Sequence, residues 1–155
     1  MRPRIRPFRH EDLDAVARME RECFPGPEGL SRRQLGALVK RGDVAALVAE
    51  CGCVLGGFAL LQFSDSTARL LTIDVAREFR GSGIGSALLE AADEAAAKVG
   101  CESISLEVRL TNLGAISLYR KAGYTETMVV EGYYPGTGGR PSDALEMQKR
   151  LSRPQ

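Results

Sequence analysis

Arg80-Gly81-Ser82-Gly83-Ile84-Gly85-Ser86 is the stretch on which the reading of the fold turns. Arg69 to Val75 precedes it, and Leu70, Leu71, Ile73 and Val75 mark that run as a strand. After the loop, from about Gly83 to Val99, Ile84, Leu88, Ala91, Ala92, Ala95 and Val99 define a buried helical stripe, and Gly100 supplies a stop. A strand, a glycine loop and a helix start together form a site for phosphate, because free backbone N–H groups meet an anion with no Cβ in the way. Two familiar loops of this kind do not fit. A Walker A loop needs GxxxxGK[ST], and there is no lysine here. A dinucleotide fingerprint, GxGxxG, counted from Gly81 wants a third glycine where Ser86 stands.

Working outward, Arg4 to Phe8 reads as a strand and His10 to Phe24 as a helix, with Leu13, Val16, Ala17 and Glu20 at helical spacing. Cys23-Phe24-Pro25-Gly26-Pro27 ends that helix. Ser31-Arg32-Arg33-Gln34 reads as a capping box for a short helix to about Lys40. Val44 to Glu50 and Val54 to Phe63 form a hairpin around Cys51-Gly52-Cys53. Ser103 to Val108 alternates, with Ile104, Leu106 and Val108 on one face. Asn112 to Ala122 is a helix ended by Gly123. Tyr124 to Val130 and Asp143 to Lys149 are two last strands, joined by a Gly- and Pro-rich loop from Glu131 to Pro141. The order β-α-α-β-β-β-α-β-α-β-β interleaves helices with strands and includes hairpins. It predicts an α/β domain with a mixed sheet.

The chain has 155 residues, which suggests one domain over 1-155. It is 44% hydrophobic and 26% charged, in the range of soluble globules. The formal charge of +1 lacks the broad basic field of a dedicated nucleic-acid binder. No run is long and apolar enough to span a bilayer, and MRPRIRPF leads into no secretory core. The expectation is therefore a cytoplasmic protein without nucleic-acid or membrane partners, a monomer or weak homodimer. His10 is the only histidine, and Cys51 and Cys53 have no partner pair among the four cysteines. That pattern predicts reduced thiols and no metal site.

The glycine loop satisfies a third pattern, R/Q-x-x-G-x-G/A, through Arg80, Gly83 and Gly85. That is the pyrophosphate loop of acetyl-CoA-binding acetyltransferases. Leu106-Glu107-Val108-Arg109-Leu110-Thr111-Asn112 follows, then Ala115-Ile116, Leu118-Tyr119, Gly123-Tyr124, Tyr133-Tyr134-Pro135 and Asp143-Ala144-Leu145-Glu146-Met147. With this series the chain resembles the GNAT superfamily, and within it the RimI-type protein N-terminal acetyltransferases. The resemblance is strongest from Leu70 to Met147. It departs at Phe24-Pro25-Gly26, where the family often has FPW, and at Arg77, where many relatives have proline.

The resemblance implies a mixed, mostly antiparallel sheet of about seven strands flanked by helices (α+β in some schemes), with two splayed parallel central strands. On this chain those are Leu70–Val75 and Ser103–Val108. It implies that the backbone of Ile73, Asp74 and Val75 pairs with the pantetheine of acetyl-CoA. Gly81, Ser82, Gly83, Ile84, Gly85 and Ser86, after Arg80, would hold the pyrophosphate, and Asn112 would contact the arm near the thioester. Glu107 would be the base that deprotonates the attacking amine, and Tyr119 the acid that protonates the departing thiolate. Phe24 and Pro25 on one loop, and Tyr133 and Tyr134 on another, would flank a peptide substrate.

Read without the family, Glu107 and Arg109 are two apart on a strand and form an ordinary ion pair. Tyr119 is then a core tyrosine among Ala115, Ile116 and Ala122. One magnitude bears on the substrate. A free α-amino group has a pKa of ~7.7–8.0 and a lysine ~10.4. At neutral pH lysine is roughly 300-fold poorer in free base, about 3.4 kcal/mol. A single carboxylate base suits an α-amine better than lysine. The expected function is acetyl transfer from acetyl-CoA to a protein or peptide N-terminus. The alternatives are the same chemistry on a lysine or small amine, and a non-catalytic CoA or acyl-CoA sensor.

Overall fold

The computed structural model describes residues 2–134 and 142–152. The elements are β1 (Arg4–Pro7), a 3-10 turn (His10–Asp12), α1 (Leu13–Cys23), α2 (Arg32–Leu38), β2 (Val44–Cys51), β3 (Val54–Ser64), β4 (Thr67–Val75), a second 3-10 turn (Arg77–Phe79), α3 (Ile84–Lys98), β5 (Ser103–Arg109), α4 (Leu113–Lys121), β6 (Thr125–Tyr134) and β7 (Ser142–Arg150). The seven strands form one sheet in the order β1-β2-β3-β4-β5-β7-β6. Every pairing is antiparallel except β4 with β5.

The chemistry of the fold comes from that exception. β4 and β5 pair only at Thr67 with Ser103, Ala68 with Ile104 and Arg69 with Ser105. Beyond Arg69 they diverge, while β5 stays paired to β7 from Ser103 to Arg109. The backbone groups on the β5-facing edge of β4 therefore lose their strand partner along the half-buried and buried residues that follow Arg69. Such groups need another polar partner.

The sheet is covered on both faces. Ala59 and Leu61 of β3 pack with Leu88, Leu89, Ala92 and Ala96 of α3, while Phe58 and Leu60 pack with Val16 of α1 and Leu35 of α2. Strands buried on both faces read as unbroken apolar runs, as β3 does. A Cβ at Gly57 would lie 2.7 Å from Ile84 Cγ2 and 2.8 Å from Leu88 Cδ1, so glycine lets the start of α3 settle closely on β3. The β3–β4 register shifts between Leu60 and Leu61, leaving Leu71 as the extra residue. Ala68 and Leu70 pack in the α3 cluster, but after this bulge Thr72 meets Glu20 of α1.

Ser31 caps α2, accepting from Gln34 N–H while the Gln34 side chain accepts from Ser31 N–H, as the sequence pattern requires. Three expectations need correction. The first helix begins as a 3-10 turn, because Asp12 Oδ2 accepts from Arg9 N–H at 2.7 Å and Arg6 grips the same carboxylate. Val99 is 59% exposed rather than part of the buried stripe: Ala96 takes the last buried turn, and Gly100, at φ 91°, turns the chain away. β6 runs on to Tyr134, so Tyr133 and Tyr134 belong to a strand and not to a loop. The remainder of the expected loop, 135–141, lies outside the described residues. Among the described residues no helix is long and apolar enough to cross a membrane.

Candidate active site

The divergence of β4 and β5 opens a cavity of about 1120 Å³. That exceeds a typical small-ligand pocket of roughly 300–1,000 Å³, so it has room for a long ligand and part of a second one. Ile73 and Val75 of β4 line one wall and Leu106, Glu107 and Val108 of β5 the other.

At one end stands the glycine loop. Gly81 has φ 80° and Gly83 has φ 90°, left-handed values at which a side chain is strained. A Cβ at either would meet nothing within 4 Å, so the space over the loop is open. Gly83 is the N-cap of α3 and no side chain among the described residues caps that helix, which leaves the first-turn N–H groups for an external acceptor. Arg80, Gly81, Gly83, Ile84, Gly85 and Ser86 all line the cavity. Ser82 does not, and its hydroxyl donates to Phe79 C=O. Arg80 Nε donates to Val75 C=O at 3.3 Å, which folds its guanidinium against the end of β4. Asn112 lines the cavity too, while its side chain accepts from Ala115 N–H at 3.2 Å and so caps α4.

The polar groups at the other end come from β4, β5, β6 and the α1–α2 segment. Glu107 Oε2 lies 2.9 Å from Arg69. Arg109 pairs with Glu28 at 2.7 Å. The ion pair expected between Glu107 and Arg109 is therefore absent, each having found its own partner across the cavity rim. The Tyr134 hydroxyl donates to Glu107 C=O at 3.0 Å, and Arg109 stacks 4.9 Å from its ring centroid. Burial pushes the Tyr134 phenol up to about 12, with Tyr133 and Glu107 adding to the effect. Tyr133 meets Tyr134 edge-on and takes a hydrogen bond from Arg69 at the surface. Phe24, Glu28 and Tyr134 line the cavity, whereas Pro25 and Tyr133 do not.

Tyr119 of α4 shares the cavity with Glu107 and is 7% exposed. Its hydroxyl has no hydrogen-bond partner among the described residues, yet it is not among the sealed, unsatisfied oxygens. Burial raises its pKa first, and the charges of Tyr134 and Asp74 raise it further. The phenol is therefore a proton donor throughout the neutral range.

Asp74 does not line the cavity. Its side chain lies on the α1 face, where its Oδ1 is 3.1 Å from the Thr72 hydroxyl, and the same hydroxyl is 2.8 Å from Glu20 Oε1. The Asp74 side chain therefore takes no part in the gap. The acidic pair beside the site escaped the reading of the chain. The available signal was a glutamate, Glu20, within the apolar stripe of the first helix.

Residues 13–124 match the acetyltransferase (GNAT) family. The chain is 37% identical over 98 residues to the ribosomal protein bS18-alanine N-acetyltransferase of Escherichia coli strain K12; the match spans 63% of this chain and 66% of that protein, just under two thirds of its length. It is 33% identical over 144 residues to an N-alpha-acetyltransferase of Sulfurisphaera tokodaii, spanning 84% of this chain and 85% of that one. The crystal structure of the Escherichia coli ribosomal-protein-S18-alanine N-acetyltransferase matches with a TM-score of 0.86 at 28% identity, covering 99% of this chain and 96% of that one. An opened parallel pair, an uncapped glycine helix start and these relatives agree, and the chain belongs to the acetyltransferase (GNAT) family.

Proposed function

We propose that this protein transfers an acetyl group from acetyl-CoA to the N-terminal α-amine of a protein or peptide. The observation that carries the reading is one cavity bounded by the glycine loop at one end and by Glu107 and Tyr119 on its walls. The residues fit a nucleotide thioester. The open space over Gly81 and Gly83 admits phosphates, and the unpaired edge of β4 at Ile73, Asp74 and Val75 offers main-chain groups to the amides of a pantetheine. Bound there, acetyl-CoA supplies an activated acyl carbonyl. Asn112 stands beside that arm.

The chain's own groups perform the proton transfers. An α-ammonium must lose a proton before it can attack, and the Glu107 carboxylate is the acceptor on the wall of the cavity. Arg69 holds that carboxylate in the resting protein but is 45% exposed, so it can leave to solvent as the ammonium arrives. Tyr119 donates its hydroxyl proton toward the leaving sulfur. Main-chain N–H groups of the splayed strands polarise the carbonyl as charge develops. Phe24 and Tyr134 flank the peptide entrance, with Pro25 next to the first in the chain and Tyr133 edge-on against the second.

The test is incubation with acetyl-CoA and a panel of peptides that vary the first residue and carry an internal lysine. Mass spectrometry then locates the acetyl group. Label on the α-amine is expected. Label confined to lysine, or to small amines only, would contradict the reading, and so would binding of acetyl-CoA without any transfer.

A further inference from the structure

On the α1 face of β4, where Glu20 and Thr72 line the cavity and Asp74 lies behind them, two carboxylic side chains are packed together. Glu20 and Asp74 are each 1% exposed, and no ion pair among the described residues includes either. The Thr72 hydroxyl lies within reach of both, 2.8 Å from Glu20 Oε1 and 3.1 Å from Asp74 Oδ1. A hydroxyl has one hydrogen, so it can donate to only one of them. Asp74 Oδ2 is sealed and has no partner among the described residues. Two adjacent buried carboxylates sharing one donor carry an uncompensated charge, a costly arrangement inside a protein. One further proton removes one of the two charges and supplies a second donor.

The remaining oxygen of Glu20 has a separate task. Glu20 Oε2 accepts from Leu30 N–H at 2.8 Å. Leu30 ends the segment that contributes Phe24 and Glu28 to the cavity, and it directly precedes Ser31, the cap of α2.

We propose that Glu20 is a positioning residue for the peptide side of the cavity, fastening the α1–α2 segment to β4 through Leu30 N–H, and that a neutral, protonated Asp74 is what allows Glu20 to keep its charge there. The substrate side of this statement rests on the acetyl-transfer reading; the fastening itself does not. Protonated, Asp74 donates where Thr72 cannot, and Glu20 is left as the single carboxylate with donors on both oxygens. Ionised, Asp74 faces Glu20 across the same hydroxyl and drives it away from Leu30.

The surroundings favour the proton. From α1, Cys23 faces Asp74 as a thiol that burial keeps protonated. From the loop after β4, Arg80 spends its guanidinium on Cys23 Sγ at 3.7 Å and on Val75 C=O rather than on a carboxylate. From α4, Tyr119 is a neutral phenol within electrostatic reach. From β3, the residues in register with Asp74 and Thr72 are Phe58 and Leu60, which carry no charge. Burial and the Glu20 charge accordingly push the Asp74 carboxyl well above the usual carboxylate range.

The test follows the Leu30 amide by hydrogen exchange across neutral to alkaline pH, in the wild type, Asp74→Asn and Glu20→Ala, alongside the KM values for peptide and for acetyl-CoA. In the wild type, Leu30 protection should hold at neutral pH and fall at alkaline pH beyond the base-catalysed increase of unstructured amides. Peptide KM should rise with it and acetyl-CoA KM should not. Asp74→Asn supplies its donor at every pH, so protection and peptide KM should stay level over the range. Glu20→Ala should lose Leu30 protection at all pH values, by about tenfold or more, the scale of one charge-assisted hydrogen bond. Equal Leu30 protection in wild type and Glu20→Ala, or the same pH course in wild type and Asp74→Asn, would overturn the proposal. The exchange data judge it even if Glu20→Ala does not fold, because the Asp74→Asn comparison stands alone. They also judge it without activity: if no amine accepts an acetyl group the enzymatic reading fails, while the Leu30 data still decide the fastening.

Discussion

Replacing Tyr119 with phenylalanine removes one oxygen and leaves the ring in its socket against Tyr124, where the two rings meet edge-on with centroids 5.8 Å apart. The structural cost is small. The hydroxyl has no hydrogen-bond partner among the described residues, so its removal breaks none, and it is not a sealed, unsatisfied oxygen, so its removal relieves no such penalty. Tyr119→Phe should therefore melt within about 4 °C of the wild-type temperature. Catalysis should move the other way. A positioned acid contributes roughly 10²–10⁴ in rate, or about 2.7–5.4 kcal/mol of barrier. The assay is release of CoA thiol at saturating acetyl-CoA and peptide, with acetyl-CoA affinity measured by calorimetry and stability by thermal melting. Turnover should fall at least about a hundredfold while affinity and melting temperature hold. Because burial raises the Tyr119 phenol, the wild-type rate should show no loss from its ionisation as the pH approaches the ordinary phenol value of ~10. Turnover near the wild-type value would remove the acid role. A parallel fall in turnover and melting temperature would make Tyr119 a packing residue only.

Gly83→Val places a side chain into the open space over the loop at φ 90°, and should cost about 1–2 kcal/mol of stability together with at least tenfold in acetyl-CoA affinity; unchanged affinity by calorimetry would refute the phosphate assignment. Arg69→Leu frees Glu107 from a half-exposed ion pair worth roughly 0.2–1 kcal/mol, so peptide KM should drop by up to about fivefold with turnover retained, and a rise in KM would mean that Arg69 binds substrate itself. Asp12→Asn breaks the buried Arg6 pair, 2.8 Å long, and should cost about 3 kcal/mol in denaturant unfolding, the low end for such pairs because Glu50 still engages Arg6. Arg6 holds the Asp12 carboxyl below its usual value. The stability it contributes is present above the unfolded pKa of ~3.9 and is lost as the pH falls through the folded value; a pH-independent difference between wild type and Asp12→Asn would contradict that linkage.

The fold was largely legible because its signals are local. Ser31 and Gln34 mark a cap, Gly100 and Gly123 mark helix ends, and the alternation of Ile104, Leu106 and Val108 marks a strand whatever its neighbours. The glycine loop was legible for the same reason, since Gly81 and Gly83 carry their meaning in their own dihedral angles. Partners were not legible. Glu107 and Arg109 are close in sequence, but Glu107 binds Arg69, brought beside it by the pairing of β4 with β5, and Arg109 binds Glu28 from the segment before α2, contacts between residues distant in the chain. The bulge at Leu71 that turns Thr72 and Asp74 toward α1 leaves no mark in an apolar run. The end of β6 leaves little mark in the sequence because the pairing resumes after an irregularity: the register shifts past Val130, and Tyr134 then pairs with Ser142 of β7.

The most direct measurement is a crystal structure with a conjugate joining CoA to the α-amine of a short peptide. Its pyrophosphate should lie on the amides of Gly81 to Ser86 and its pantetheine along Ile73 to Val75. The peptide should leave between Phe24 and Tyr134, with the linked nitrogen facing Glu107 and the sulfur facing Tyr119. A conjugate bound elsewhere, with β4 and β5 closed on each other, would contradict the account.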